Sequence, residues 1–133
     1  MSKRVLILDD NADNRKLLVF ALYGRPYEVC EAALGQEVLT MLDAQPEPFD
    51  LALLDVELPD VDGLQVAVHL RKHSPEVVLI MLSANDNTDL VHRARELGAN
   101  AYIVKPFNLP KLLEFVNAFE NQMVKADSAL QRF

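Results

Sequence analysis

Short apolar runs alternate with amphipathic segments along the whole chain. A short, continuous apolar run bounded by turn residues is typical of a strand buried on both faces of a parallel sheet. Five such runs predict strands at residues 4–8, 27–30, 51–55, 77–82 and 102–104. The third is the clearest, because four apolar residues lead directly into Asp55 and an Asp-Gly pair, Asp62-Gly63, closes the following turn.

A segment with the apolar spacing of a helix follows each predicted strand. These helices are expected at residues 12–23, 36–44, 63–73, 88–97 and 109–123. Asn11 or Asp10 is expected to cap the first helix, and Asn108 the last. Gly98 is expected to end the fourth. The predicted inward-facing residues are Leu18, Ala21, Leu22, Val38, Leu39, Leu42, Leu64, Ala67, Val68, Leu90, Ala94, Leu97, Leu109, Leu112, Val116, Phe119 and Met123. The alternation predicts a doubly wound parallel α/β domain.

Length and charge narrow the classes of function. A chain of 133 residues predicts one domain with a single core, which we place at residues 1–124. Residues 125–133 are expected to be a tail or an extension of the last helix. The net charge of −7 argues against binding to nucleic acid and against attraction to an anionic membrane surface. We therefore expect neither partner.

The cellular compartment is predicted from two further features. Cys30 is the single cysteine, so the chain cannot form an internal disulfide, which fits a reducing compartment. The N-terminal apolar run is followed at once by Asp9 and Asp10, unlike a signal peptide, and no stretch approaches the ~20 apolar residues of a membrane span. The sequence therefore predicts a cytoplasmic protein.

Reactive side chains stand where four of the predicted strands end. Asp9 and Asp10 follow the first strand, and Asp55 ends the third. Ser83 follows the fourth strand and Lys105 the fifth. Because all strands of a parallel sheet point the same way, these side chains are expected to meet at one edge.

The residue types at this edge suit one chemistry. Three carboxylates form an oxygen-rich pocket of the kind that binds Mg²⁺. Ser83 can donate a hydrogen bond to a phosphoryl oxygen, and Lys105 can neutralise its charge. Asp55, at the centre, can act as the nucleophile that accepts the phosphoryl group. The sequence therefore predicts a phosphoaspartate site that uses Mg²⁺ as its cofactor.

Over residues 4–124 the chain resembles the receiver domains of two-component response regulators. The matching motifs are Asp9-Asp10, the segment 51–63 around Asp55, Ser83-Ala84 and Lys105-Pro106-Phe107, in this order and at these strand ends. The resemblance implies a flavodoxin-like sheet with strand order 2-1-3-4-5 and five flanking helices. It also implies a cis bond before Pro106, which proline tolerates better than other residues.

The resemblance assigns roles to individual residues. Asp55 would receive a phosphoryl group from a sensor histidine kinase or a histidine phosphotransfer protein. Asp10 and Asp55 would bind Mg²⁺ by their side chains, Glu57 by its backbone carbonyl and Asp9 through water. Ser83 and Tyr102 would be the switch residues, with Tyr102 rotating inward on phosphorylation. The chain would then be a signalling switch that catalyses only its own phosphorylation and dephosphorylation.

Three positions depart from the commoner family pattern or vary within it. Ser83 stands where the family more commonly has threonine. The serine retains the hydroxyl group but lacks the methyl group. Glu57 and Asn85 lie two residues after Asp55 and Ser83, respectively. In the family these positions flank the path of the hydrolytic water, so we expect Glu57 and Asn85 to set the lifetime of the phosphoryl group.

Competing interpretations remain at this point. Taken singly, Asp9, Asp10 and Ser83 could be helix caps, and Asp55 a turn residue. A dehalogenase-type phosphatase would need two aspartates separated by one residue after the first strand. A nucleotide- or flavin-binding module would need a phosphate-binding loop there. A degenerate receiver that binds partners without phosphorylation would not need the intact acidic pair, hydroxyl and lysine.

The remaining features concern partners. His69, His73 and His92 lack further ligands at metal-binding spacing and are predicted to be surface residues. Segments 90–97, 102–104 and 109–123 are expected to form the surface that binds a downstream protein, and a homodimer is left open. Leu113 and Phe115 flank the apolar stripe of the last helix, so Phe115 is expected to contribute to that surface.

Overall fold

The computed structural model describes residues 3–120 and 131–132. Five strands form the main part of its sheet: β1 (Lys3–Leu8), β2 (Tyr27–Ala32), β3 (Leu51–Asp55), β4 (Val78–Ser83) and β5 (Ala101–Val104). Five helices alternate with them: α1 (Ala12–Leu22), α2 (Gly35–Ala44), α3 (Gly63–His73), α4 (Thr88–Glu96) and α5 (Leu109–Glu120). A two-residue strand, β6 (Gln131–Arg132), follows. The predicted elements are all present and their ends differ from the prediction by at most two residues, except that the predicted end of the last helix lies outside the described residues.

The sheet is parallel throughout and has the order β2-β1-β3-β4-β5, with β6 beside β5. This confirms the predicted doubly wound, flavodoxin-like architecture. In the register of β3 with β4, Asp55 lies beside Leu82, so the next residue of the chain, Ser83, continues past it at the same edge. Most of the predicted tail, and Met123 of the last predicted helix, lie outside the described residues.

Two apolar layers cover the two faces of the sheet. Successive residues of β1 belong to opposite layers. Leu6 and Leu8 pack with α2, α3 and α4, whereas Val5 and Ile7 pack with α1 and α5. This alternation follows from the strand geometry, in which neighbouring side chains point to opposite faces. Because both faces are covered, β3 and β4 are buried along their whole length.

Short polar contacts begin and end the helices, as the sequence predicts. Asn11, rather than Asp10, caps α1, its Oδ1 accepting a hydrogen bond from the Asn14 amide at 2.9 Å. Asn108 caps α5 through the Lys111 amide at 3.0 Å. Gly98 follows α4 with a φ of +94°, a conformation that glycine adopts without steric cost.

Two predictions about helix faces are wrong. Val68 is 39% exposed. The buried face of α3 contains Leu64, Ala67 and Leu70. Because each residue of an α-helix is rotated by about 100° from the one before it, Val68 points away from that face. Phe115 is 2% exposed and packs in the layer shared with α1, so it belongs to the core and not to an exposed partner surface. Within the part of the chain that is described, we find no helix with the length and apolar character needed to cross a membrane.

Candidate functional site

Asp55 lies at the end of the central strand β3, between β1 and β4. Its neighbour across the sheet edge is Asp9, directly after β1, and the two are 1% and 0% exposed. The Asp55 Oδ1 accepts a hydrogen bond from the Glu57 amide at 3.0 Å, and Asp9 Oδ1 accepts one from the Asn11 amide at 2.9 Å. Each carboxylate therefore has one oxygen held by the backbone and one left for other partners.

Lys105 links these two carboxylates. Its Nζ lies 2.9 Å from Asp55 Oδ2 and 3.0 Å from Asp9 Oδ2. The lysine follows β5 and its backbone amide donates to the Ser83 carbonyl at 2.7 Å. The bond between Lys105 and Pro106 is cis, as the resemblance implies.

Burial sets the electrostatics of the pair. Burial raises the pKa of Asp55 to about 6, although the hydrogen bond and the charge of Lys105 act to lower it. Burial acts to lower the pKa of Lys105. The hydrogen bonds and the attraction to Asp55 and Asp9 outweigh this effect, so the net pKa is raised. At neutral pH the site therefore holds a protonated Lys105 beside an ionised Asp55, and Asp55 accepts a proton under mildly acidic conditions.

The acidic residues fit a divalent cation. Asp9, Asp10 and Asp55 each offer a carboxylate oxygen, and these oxygens lie within 4.8 Å of one another. Oxygen ligands lie about 2.1 Å from a bound Mg²⁺, so carboxylates this close together fit one ion that they bind directly or through water. Asp10 is exposed while the other two are buried, which leaves one side of the site open to water.

Ser83 lies at the same edge but has a partner that the sequence did not reveal. Its hydroxyl donates to Glu57 Oε2 at 2.6 Å, and the next backbone amide, that of Ala84, donates to Glu57 Oε1 at 2.8 Å. Extending the pairing of β3 with β4 by two residues past Asp55 places position 57 beside 84. The register therefore brings positions 57 and 84 close together. The hydrogen bonds depend in addition on the side-chain rotamer of Glu57, which the sequence does not show.

A chain of contacts leads from Ser83 to Tyr102. The Asn85 amide donates to Ser83 Oγ at 3.0 Å, and the Tyr102 hydroxyl donates to the Asn85 carbonyl at 2.6 Å. The Tyr102 ring is fully buried in this structure. The Asn85 side chain accepts from the Asn87 amide, so it helps to shape the loop before α4. The inward rotation of Tyr102 on phosphorylation stays a prediction.

The loop after Asp55 makes two further close contacts, at Asp60 and at Gly63, whose partners the sequence pattern does not predict. Asp60 accepts hydrogen bonds from the amides of Gly35 and Gln36 at 3.0 and 2.9 Å, so it caps α2 from another segment. At Gly63 a Cβ would lie 2.1 Å from the Asp55 carbonyl oxygen, so a side chain there would force the backbone apart. The glycine of the Asp-Gly turn is therefore needed for close approach of α3 to Asp55.

The predicted site residues thus form one group at one edge of the sheet. Asp9, Asp10, Asp55 and Lys105 make its centre, and Glu57 with Ser83 lies beside it. The histidines have other partners: His69 contacts the Gln65 carbonyl, His73 contacts Ser74 and Gln45, and His92 pairs with Glu96.

Comparison with known proteins identifies relatives of this chain. A family model described as the response regulator receiver domain matches residues 5–117. The transcriptional regulatory protein SrrA of Staphylococcus aureus is 38% identical over 108 residues. The match covers 81% of this chain and 44% of SrrA, so the chain spans less than half the length of that relative.

Solved structures show the same likeness. A CheY-like response regulator receiver domain protein from Methanospirillum hungatei matches with a TM-score of 0.81 and 32% identity, over 92% of this chain and 98% of that one. A response regulator protein from Burkholderia pseudomallei, with a phosphorylated aspartic acid, a calcium ion and citrate, matches with a TM-score of 0.75 and 28% identity, over 92% and 72%. The likeness therefore extends over most of the chain.

Proposed function

The chain belongs to the response regulator receiver domain family of two-component signalling, and on that premise we propose that Asp55 accepts a phosphoryl group from a phosphohistidine. The donor is a sensor histidine kinase or a histidine phosphotransfer protein, the partners with which receiver domains interact. Receiver domains are signalling domains rather than enzymes that turn over a separate substrate. The proposed consequence is a change in an interaction surface.

The main observation that supports this proposal is the position of Lys105 between Asp55 and Asp9, with the carboxylate of Asp10 close by. A generic turn at a strand end has no need of three converging acids and a shared ammonium group. Burial of such charges is costly unless they are paired, so a functional reason for the arrangement is favoured. The phosphorylated aspartic acid of the Burkholderia relative supports the same role for Asp55.

In the reaction, a carboxylate oxygen of Asp55 attacks phosphorus, and a P–O bond forms as the P–N bond of the phosphohistidine breaks. The electron pair of the broken bond stays on the imidazole nitrogen. Asp55 must be ionised to attack, and Lys105 favours the ionised form by its charge and hydrogen bond. We propose that Lys105 and the Ser83 hydroxyl bind the negative oxygens of the transferred group.

The metal of this site would be Mg²⁺, bound by the side chains of Asp10 and Asp55, by the Glu57 backbone carbonyl and by Asp9 through water. When bound, it would neutralise negative charge on the phosphoryl oxygens. The protein's own part is to hold these oxygens at one edge and to keep Asp55 fixed through the Glu57 amide.

The switch would pass from Ser83 to Tyr102. Both contact the residue between them in the loop, Asn85, so a shift of Ser83 toward a phosphoryl group would pull on the backbone that Tyr102 holds. The output surface proposed for a downstream protein comprises segments 90–97, 102–104 and 109–123. Glu57 and Asn85 are proposed to modulate the lifetime of the phosphoryl group.

The runner-up function is a degenerate receiver that binds partners without phosphorylation. It leaves unexplained the group formed by Asp9, Asp10, Asp55 and Lys105. A dehalogenase-type phosphatase also fits poorly, because Asp9 and Asp10 are adjacent and not separated by one residue.

Incubation with acetyl phosphate and Mg²⁺, followed by intact-mass measurement, tests the proposal. Wild type should gain the mass of one phosphoryl group, and chelation of the metal should abolish the gain. Asp55→Asn is the control because it keeps the shape of the side chain and removes the nucleophile. A gain that survives in Asp55→Asn would assign the acceptor to another residue, and no gain in wild type would favour the degenerate receiver.

A further inference from the structure

Glu57 holds two hydrogen-bond donors at the edge of the site. Its carboxylate accepts from the Ser83 hydroxyl at 2.6 Å and from the Ala84 amide at 2.8 Å. Glu57 and Asp55 are two residues apart, and the Glu57 amide is itself bonded to Asp55. The Glu57 carboxylate therefore occupies both donors, close in the chain to Asp55, the residue proposed to accept a phosphoryl group.

Each of the two donors has one proton. A serine hydroxyl can donate one hydrogen bond, and so can a backbone amide. A phosphoryl group on Asp55 can use the Ser83 proton only if Glu57 gives it up. The two groups would also repel each other, because both are negative.

We propose that Glu57 is a positioning residue that occupies the donors needed by the phosphoryl group, so that phosphorylation of Asp55 must first displace the Glu57 side chain. This inference rests on the proposed function and adds a direction to the effect of Glu57. The carboxylate slows acceptance of the phosphoryl group, because the hydrogen bonds that it makes are lost before new ones form.

The same contact is linked to the loop that joins β4 to α4. Ser83 accepts from the Asn85 amide, and the Asn85 carbonyl accepts from Tyr102, so Glu57 is connected to Tyr102 through three hydrogen bonds in sequence. The Glu57 carboxylate and a phosphoryl group on Asp55 thus compete for one hydroxyl, that of Ser83.

The test compares phosphorylation rates at saturating Mg²⁺, so that altered metal affinity does not enter. Rates are measured by intact mass with acetyl phosphate for wild type, Glu57→Ala, Glu57→Gln and Asp89→Asn. Glu57→Ala frees both donors and should react faster than wild type by on the order of tenfold. This factor corresponds to the net contribution of a hydrogen bond to a charged group, which no longer has to be broken. Glu57→Gln keeps one acceptor oxygen and should lie between it and wild type. Asp89→Asn, in the exposed first turn of α4, removes a negative charge without this contact and should react like wild type.

Amide hydrogen exchange of the unphosphorylated proteins tests the contact itself. The Ala84 amide should exchange faster in Glu57→Ala than in wild type or Asp89→Asn, with the amide spectrum elsewhere retained. A Glu57→Ala rate no higher than that of Asp89→Asn, or an unchanged Ala84 exchange rate, would overturn the inference. If no variant and no wild-type protein gains mass, the proposed function fails, and the inference fails with it even where Glu57 is shown to hold Ala84.

Discussion

The ammonium of Lys105 lies 2.9 Å from Asp55 Oδ2, although the two residues are fifty positions apart in the chain. The lysine reaches from the end of β5 past β4 to the end of β3, and it also contacts Asp9, which follows β1 on the far side of β3. Two buried carboxylates thereby share one positive charge. Much of what we expect of this protein follows from that contact.

Lys105→Ala should raise the pKa of Asp55 above about 6, because the lysine's hydrogen bond and charge now act to lower it. A rise of about one pKa unit is expected, measured by NMR titration of the Asp55 carboxyl carbon. The variant should also lose the coupling between phosphorylation and partner binding, since the link from Asp55 to β5 is broken. Lys111→Ala, on the exposed start of α5, is the control. An unchanged Asp55 titration would contradict the assigned role.

Asp55 should make the protein less stable as the pH rises from about 4 to about 6. Its folded-state pKa of about 6 is above the unfolded value, so the folded protein binds more protons in this interval and its free energy of unfolding falls with rising pH. Asp55→Asn removes this cost. At pH 7 the variant should be more stable than wild type by on the order of 1–2 kcal/mol, a difference that shrinks toward pH 4. Urea unfolding across this pH range measures it, and a constant difference would contradict the prediction.

Asp60 should have the opposite pH dependence. Hydrogen bonds from the Gln36 and Gly35 amides lower the pKa of this carboxyl. Its contribution is therefore complete above the unfolded pKa of about 4 and is lost as the pH falls through the lower folded value. Asp60→Ala should be less stable than wild type at pH 7 and should approach it in acid. The comparison is made by urea unfolding, with exposed Asp43→Ala as the control. A gap that widens in acid would show that Asp60 acts otherwise.

Tyr102→Phe should destabilise the fold by about 1 kcal/mol, because the Asn85 carbonyl loses a 2.6 Å hydrogen bond while the ring still fills its buried space. Tyr23→Phe removes a hydroxyl from a side chain that is 83% exposed and should change the free energy of unfolding little. Denaturant unfolding of the two variants makes the comparison. Equal values for both would show that the contact with Asn85 contributes nothing measurable.

Gly63→Ala should disturb the backbone around Asp55. The added Cβ would lie 2.1 Å from the Asp55 carbonyl oxygen and 2.8 Å from that of Val56, so the backbone must move. We expect a loss of roughly 2 kcal/mol in the free energy of unfolding and slower phosphorylation of Asp55. Gln65→Ala, at an exposed position of the same helix, serves as the control for a change of side chain in α3. Wild-type stability in Gly63→Ala would mean that the loop relaxes without cost.

The pattern of apolar runs was sufficient to predict a doubly wound parallel α/β domain, and the family resemblance supplied the strand order. Continuous apolar runs such as the one before Asp55 require burial on both faces, and burial on both faces requires helices on both sides of a parallel sheet. That geometry then places Asp9, Asp55, Ser83 and Lys105 at one edge, whatever the details of packing. The helix faces were harder, since Val68 and Phe115 are both apolar and their burial depends on where the neighbouring elements lie.

The tertiary structure alone decided which groups at that edge bond to one another. Lys105 pairs with Asp55 and Asp9, Ser83 and Ala84 bond to Glu57, and Asp60 caps a helix that begins twenty-five residues earlier. Hydropathy periodicity records which side of a strand or helix is buried. It carries no information on the rotamer of a polar side chain, because a hydrogen bond between distant segments is set by ångström-scale distances that only the packed chain defines.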